Sequence, residues 1–277
     1  GMLTWFVTGC SSGLGRALAE AVPERGDRLV ATARDPRTVS DLAERFPDRV
    51  LPVALDVTDR AACAAAVRAG EERFGPVDVL VNNAGHGYRA AVEEGEPDGI
   101  AEQFDTHFFG PLALIRAVLP GMRRRRSGTI VNVSSVGTRW TPAGSGFYVA
   151  SKAALATLSG SLYAEVEPLG IRVVVVEPGG FRTEFTGRSL TESAVVLPDY
   201  AATAGARRRA ADRSHGTQPG DPVKGAQAII TAVTAAEPPR LLLLGSVATA
   251  RFDAREAADR AEVEAWRKVS EGTDFSR

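Results

Sequence analysis

The sequence predicts a doubly wound α/β fold in one domain, residues 1–277, built on a mostly parallel sheet of seven strands. Short runs of β-branched and aliphatic residues alternate along the chain with longer amphipathic stretches. The runs are apolar on both faces, as expected of parallel strands that helices cover on each side. In chain order, the predicted strands are residues 3–8, 29–33, 50–54, 77–81, 129–133, 171–176 and 241–244.

Turn-forming or polar residues follow these runs and set their ends. Glycine-rich sequence follows the first run, Arg34 and Asp35 follow the second, and Asp56 follows the third. Asn82 and Asn83 follow the fourth run, and Pro178 and Gly179 the sixth. Because the carboxyl ends of parallel strands meet at one edge of a sheet, these residues are expected to surround one ligand site.

Two later segments depart from the alternation. Residues 188–220 contain a Leu-Pro-Asp-Tyr stretch and three consecutive arginines, which predicts a lid over the site, with a plain surface excursion as the alternative. From about Asp253 a charged amphipathic helix is predicted to close the chain by packing on the sheet edge.

Composition narrows the class of partner. A net charge of −1 gives no basic footprint for nucleic acid, so a small molecule is the expected partner. The two cysteines cannot make a disulfide framework, and no CxxC spacing suggests a metal site. No apolar run reaches membrane-spanning length, and the first residues lack the pattern of a secretory signal, so a cytoplasmic location is expected.

The glycine-rich sequence after the first strand predicts a dinucleotide site of the Rossmann type. Gly9 permits a tight turn, Gly13 lets the backbone approach a pyrophosphate, and Gly15 allows the next helix to pack closely. The helix N-terminus then presents amides to the phosphates. The predicted cofactor-binding residues of this loop are Thr8, Gly9, Ser11, Ser12, Gly13, Leu14 and Gly15.

The end of the second strand bears on which nicotinamide dinucleotide binds. If Ala33 ends that strand, no carboxylate meets the ribose 2′-hydroxyl, and Arg34 is placed to bind a 2′-phosphate. NADP(H) is therefore favoured. NAD(H) stays open, because Asp35 takes the acidic role if the strand runs longer. Asp56 is expected to accept a hydrogen bond from the adenine amino group, although a helix cap at Thr58 or Asp59 competes as an explanation for this polar cluster.

Three further motifs give the chain a resemblance to the short-chain dehydrogenase/reductase family. They are the Asn-Asn-Ala-Gly turn at residues 82–85, Ser135, and the pair Tyr148 and Lys152. The C-terminal half resembles the branch that includes retinol and 17β-hydroxysteroid dehydrogenases. The resemblance implies Ser135, Tyr148 and Lys152 as catalytic residues. It also implies further cofactor contacts at Val57, Asn83, Ala84, Gly85, Pro178, Gly179, Phe181 and Thr183.

Tyr148 and Lys152 are four residues apart, so on a helix they share one face and are expected to reach both the cofactor ribose and the reacting oxygen. Proton transfer by Tyr148 is expected, with a nearby ammonium and an oxidised nicotinamide lowering the pKa of the phenol from its usual value near 10. Ser135 is expected to hydrogen-bond the reacting oxygen while hydride moves between the nicotinamide and a carbonyl or alcohol carbon.

His107 stands where the family usually has an asparagine that supports a water chain to the lysine. Imidazole can serve such a relay, adding a titration near pH 6–7, and reduced activity or a purely structural role are the alternatives. An NADP(H)-binding sensor with lost or weak turnover is therefore a second functional hypothesis.

Aromatic and imidazole side chains beside these motifs predict a substrate pocket suited to a lipophilic carbonyl compound. Besides Phe181, its predicted walls are His86, Trp140, Phe147 and Phe185. The apolar helices around residues 108–119 and 148–164 predict self-association into a dimer or tetramer.

Overall fold

A computed structural model describes residues 1–181, 190–214, 216 and 218–276. The strands are β1 (Thr4–Val7), β2 (Arg28–Ala33), β3 (Val50–Ala54), β4 (Val79–Asn82), β5 (Gly87–Arg89), β6 (Gly128–Val133), β7 (Ile171–Pro178), β8 (Leu190–Glu192) and β9 (Leu241–Leu244). The α-helices are α1 (Gly13–Glu24), α2 (Ser40–Arg45), α3 (Arg60–Phe74), α4 (Pro97–Phe104), α5 (Gly110–Arg125), α6 (Gly146–Val166), α7 (Ala204–Ser214), α8 (Pro222–Thr234) and α9 (Ser246–Glu271).

Seven strands form one sheet in the order β3-β2-β1-β4-β6-β7-β9, and every neighbouring pair is parallel. The predicted sheet is confirmed, and each predicted strand lies within two residues of the observed one. The chain order reverses between β1 and β4, which opens a crevice at the carboxyl ends of these strands.

Both faces of the sheet are buried because consecutive side chains of a strand point to opposite sides. In β1, Trp5 packs in a cluster with Leu18 of α1 and Ile229 of α8. Its neighbour Phe6 packs in a second cluster with Leu114 of α5 and Leu155 of α6. Burying one such side chain stabilises the fold by about 1.5–3 kcal/mol, so these two clusters hold helices against both faces of the sheet.

A second, two-stranded parallel sheet pairs β5 with β8, with Gly87 opposite Leu190. The sequence did not predict it, because each strand has three residues and no alternating pattern. Buried Glu94 fixes the chain beyond β8. Its carboxylate accepts hydrogen bonds from the Leu197 amide at 2.7 Å and from Arg208 of α7 at 2.8 Å.

Helix α9 differs from the sequence prediction in its start and in its packing. It begins at Ser246, and Ala248 is its one buried residue among those described. All residues from 253 to 276 are exposed, so the predicted packing of this segment on the sheet edge is wrong. The exposed helix is stabilised along its own surface by ion pairs such as Arg255–Asp259 and Arg267–Glu271. Among the helices that the structure describes, none is long and apolar enough to cross a membrane.

Candidate active site

A cavity of about 920 Å³ lies at the carboxyl ends of the parallel strands. The loops after β1, β2, β3, β4, β6 and β7 all contribute to its walls. It therefore extends from Arg34, which follows β2, to Trp140 and Phe181, which follow β6 and β7. Among the residues that follow the strands, Arg34, Asp56, Asn83, Pro178 and Gly179 line this one cavity, whereas Asp35 and Asn82 do not.

The loop after β1 has the backbone geometry that its glycines predict. Gly9 and Gly13 adopt φ angles of 68° and 62°, which favour glycine. A Cβ on Gly15 would collide with the carbonyl oxygen of Gly9, so this helix turn packs on the loop only without a side chain. Ser11, Ser12, Gly13 and Leu14 line the cavity.

The first turn of α1 suits a dinucleotide pyrophosphate. Ser12, the residue before the helix, makes no capping hydrogen bond through its side chain. The first-turn amides therefore keep their hydrogen-bonding capacity beside the cavity, where the helix dipole favours negative charge. A bound nicotinamide dinucleotide fits the residues present here.

Thr8 supports this loop from beneath the cavity. It is buried, and its Oγ1 accepts hydrogen bonds from the amides of Asn83 and Ala84, both at 3.0 Å. The side-chain amide of Asn83 in turn donates to the Thr8 carbonyl at 3.2 Å. Thr8 thus ties the loop after β1 to the loop after β4, while Asn83, Ala84 and Gly85 line the cavity.

At the far end of the cavity, β2 ends at Ala33 and the exposed Arg34 lines the wall. Asp35 instead accepts hydrogen bonds from the Arg37 amide and side chain at 2.8–3.2 Å. These contacts lower the pKa of Asp35 and leave its carboxylate engaged with Arg37.

Asp56 also lines the cavity beside Val57, and its Oδ1 accepts hydrogen bonds from the Thr58 amide and hydroxyl.

Ser135, Tyr148 and Lys152 face the cavity together. Ser135 follows β6, and its hydroxyl oxygen accepts from the Gly137 amide at 3.0 Å and shares a hydrogen bond with Tyr148. Tyr148 and Lys152 are one turn apart on α6. Lys152 is buried, and its Nζ donates to the Val133 carbonyl at 3.0 Å.

Burial dominates the proton affinities of the two groups on α6. It raises the pKa of Tyr148 to about 12, against smaller opposing effects from the Ser135 hydrogen bond and the charge of Arg89. The expected lowering of this pKa is therefore not found in the protein alone. Burial also lowers the pKa of Lys152 to about 8.

His107 is buried in a turn of π-helix at Asp105–Phe109 between α4 and α5. Its Nε2 accepts from the His86 amide at 3.2 Å, and its Nδ1 lies 2.9 Å from the Ser151 hydroxyl. Both ring nitrogens are thus engaged within the protein. Burial, with a smaller effect of the Lys152 charge, lowers the pKa of His107 well below its usual value, so the expected titration near pH 6–7 is wrong.

The predicted pocket walls divide into three groups. His86, Trp140 and Phe181 line the cavity. Phe147 is not among the lining residues and packs against Tyr88, with ring centroids 6.3 Å apart. Phe185 lies outside the described residues, as does Thr183, which was predicted as a cofactor contact.

Three arginines that were not predicted as site residues line the same cavity: Arg89, Arg207 and Arg251. They come from β5, α7 and α9, which are far apart in the chain. Arg207 belongs to the arginine triplet of the predicted lid, which was the one signal that pointed toward this cluster.

A family model described as short chain dehydrogenase matches residues 4–194. The protein belongs to the short-chain dehydrogenase family. It is accordingly an oxidoreductase that acts on CH–OH and C=O groups, as the motifs around Ser135 and Tyr148 predicted.

Relatives of this short-chain dehydrogenase extend the match to nearly the whole chain. An oxidoreductase of Botryotinia fuckeliana is 40% identical over 267 residues, covering 96% of this chain and 97% of its own. The crystal structure of a short-chain dehydrogenase from Streptomyces avermitilis superposes with a TM-score of 0.92 at 43% identity, covering 99% of each chain. A short chain dehydrogenase from Burkholderia cenocepacia, solved in complex with NADP, is 26% identical with a TM-score of 0.73, covering 95% of this chain and 96% of its own.

Proposed function

We propose that this short-chain dehydrogenase is an NADP(H)-preferring enzyme that transfers hydride between the nicotinamide and a carbonyl or alcohol carbon of a lipophilic substrate. The observation that carries the proposal is the convergence of Ser135, Tyr148 and Lys152 on the cavity that the glycine loop also lines. A bound nicotinamide supplies or accepts the hydride in this reaction.

Tyr148, Ser135 and Lys152 have different roles in this reaction, which follow from their surroundings. With a pKa of about 12, Tyr148 holds its proton at neutral pH and can donate it to a carbonyl oxygen that gains charge during reduction. Ser135, hydrogen-bonded to Tyr148, is placed to donate to the same oxygen. Lys152 brings a positive charge beside the site below its pKa of about 8.

Replacing Tyr148 by Phe tests the role of its hydroxyl. We expect Tyr148→Phe to lower kcat/KM for reduction of an aldehyde and ketone panel by about 10²–10⁴-fold, because proton donation is lost. Fluorescence titration is expected to show that NADPH still binds. Tyr163→Phe on the same helix is the matched control and should keep wild-type turnover. Unchanged turnover in Tyr148→Phe would show that this hydroxyl is not the proton donor.

The preference for NADP(H) rests on Arg34 and Asp35. Arg34 lines the cavity where β2 ends, and the Asp35 carboxylate is held by Arg37. A guanidinium favours a 2′-phosphate, whereas a free carboxylate would favour the 2′-hydroxyl of NAD.

Arg34→Ala is therefore expected to weaken NADPH binding by about tenfold or more, while NADH binding changes little. Arg68→Ala, at an exposed position on α3, is the control for loss of a surface charge. Fluorescence titration with each dinucleotide measures both affinities. Equal losses for NADPH and NADH would contradict the assignment of Arg34 to the 2′-phosphate.

Several finer expectations remain predictions within this proposal. Apolar residues such as Val136, Val149 and Phe181 line the cavity and support a lipophilic substrate. Four further predictions rest on the sequence alone. They are a lid at residues 188–220, self-association through α5 and α6, a cytoplasmic location, and likeness to the retinol and 17β-hydroxysteroid dehydrogenase branch. The sensor hypothesis gains no support from relatives named as oxidoreductases or dehydrogenases.

A further inference from the structure

Three arginines from separate elements converge on the cavity near Tyr148. Arg89 ends β5, Arg207 lies in α7, and Arg251 lies in the first turns of α9. The three side chains are close enough for their charges to interact. The charge of Arg207 lowers the pKa of Arg89, and the charge of Arg251 lowers the pKa of Arg207. The fold therefore brings three like charges together at the reacting end of the cavity.

Arg89 is the most deeply placed of the three, with 5% of its surface exposed. Its Nη1 donates to the Ser145 hydroxyl, and among the described residues its buried Nε has no hydrogen-bond partner. Burial, followed by the charge of Arg207, lowers its pKa to about 10. A buried guanidinium with an unused donor is costly unless a further group binds it.

Arg207 and Arg251 both lie over the indole ring of Trp140. Their guanidinium carbons are 5.4 Å and 3.7 Å from the ring centroid. The ring offers each cation a favourable face, but it does not neutralise their mutual repulsion. The Nε of Arg207 is also buried, and no group in the described part of the chain forms a hydrogen bond with it.

Neighbouring arginines show how this protein pairs cations with buried carboxylates elsewhere. Arg208 binds Glu94, and Arg139 binds Glu177, each with a buried carboxylate. Within the part of the chain that the structure describes, no carboxylate lies in ion-pair distance of Arg89, Arg207 or Arg251. The exposed Glu192 raises the pKa of Arg89 through its charge, without forming an ion pair with it.

We propose that Arg89, Arg207 and Arg251 bind a carboxylate of the substrate, so that the enzyme acts on oxo acids and the matching hydroxy acids. This inference rests on the proposed hydride transfer at Tyr148 and specifies its substrate class. Guanidinium groups match a carboxylate with parallel hydrogen bonds, and the anion relieves the repulsion among the three cations. The apolar lining around Trp140 then contacts the carbon skeleton that joins the carboxylate to the carbonyl group.

A matched pair of aldehydes tests the substrate class. We expect kcat/KM for 4-formylbenzoate to exceed that for methyl 4-formylbenzoate by about tenfold or more, since only the acid carries the charge. In the double variant Arg207→Gln, Arg251→Gln the preference is expected to fall severalfold, and Arg89 accounts for the part that remains. Arg209→Gln, an exposed position on α7, is the matched control and should keep the wild-type preference. Equal or better use of the ester by the wild-type enzyme would overturn the proposal.

A binding experiment separates this inference from the proposed function. Calorimetric titration with benzoate and with benzamide requires no turnover, and benzoate is expected to bind at least about tenfold more tightly. If no carbonyl compound is reduced, the proposed function fails, and the benzoate titration still decides the carboxylate site. If the double variant loses NADPH affinity while benzoate binds as before, the arginines serve a cofactor phosphate and the proposal is wrong.

Discussion

His107 shows how burial and hydrogen bonding set the role of one side chain. With Nε2 accepting from the His86 amide, the proton of the neutral ring lies on Nδ1, which donates to Ser151. The ring therefore joins the loop after β4 to α6 beneath the cavity. A Cβ on Gly85 would lie 2.8 Å from the same Nε2, so this loop approaches the ring at a glycine.

The buried neutral ring predicts a loss of stability in acid. The pKa of His107 is lowered by burial in the folded protein, whereas in the unfolded chain it is near 6.5. As pH falls below 6.5, the unfolded chain takes up a proton that the folded protein does not. The free energy of unfolding is then expected to fall by up to about 1.4 kcal/mol per pH unit through this group.

His107→Asn is expected to remove this part of the pH dependence. Urea unfolding of wild type and variant between pH 7.5 and about pH 5 measures it, and the decisive quantity is the difference between their slopes. Other groups, including His86, whose pKa burial also lowers, contribute to both proteins and cancel. Parallel curves would mean that His107 is protonated in the folded state.

At the scale of elements, α9 departs most from its predicted role. Its apolar side chains Val263, Trp266 and Val269 are spaced by three residues among charged ones and remain exposed. A stripe of this kind in the sequence predicts a helix face that packs on the core. In the structure, however, the helix points away from the protein body after Ala248, so the stripe does not reach the core. Ala248 contacts the protein body, and the segment from residue 253 onward extends into solvent.

Removing residues 256–277 is therefore expected to change the free energy of unfolding by less than about 1 kcal/mol, because surface ion pairs are the main interactions lost. NADPH affinity should also be retained, and Arg251 remains in place. A longer deletion from Ser246 onward, which removes Ala248, is the control and should destabilise the protein clearly. Denaturant unfolding measures both, and similar losses for the two deletions would show that the exposed part of α9 packs on the body in solution.

At the scale of the whole molecule, the sheet could be predicted because its seven strands are buried on both faces and therefore read as apolar runs. Parallel strands place their carboxyl ends at one edge, which is why the glycine loop, Arg34 and Tyr148 could be assigned to one cavity from their positions in the chain. These inferences need only the order of strands and the spacing of motifs.

The arginine cluster and the small sheet could not be predicted on that basis. Arg89 and Arg251 are separated by most of the chain, and a charged residue on a short strand or helix usually faces solvent. Their meeting depends on the pairing of β5 with β8 and on the placement of α7, which Glu94 fixes through a buried ion pair with Arg208. Contacts of this kind leave no periodic pattern in the sequence.

The most direct test of hydride transfer uses NADPH deuterated at both hydrogens of nicotinamide C4, with the neutral methyl 4-formylbenzoate and 4-formylbenzoate as substrates. Mass spectrometry of the products is the measurement. We predict an alcohol with one deuterium on the former carbonyl carbon, formed far more slowly by Tyr148→Phe. Absence of the alcohol with both substrates, or an alcohol without deuterium, would contradict it.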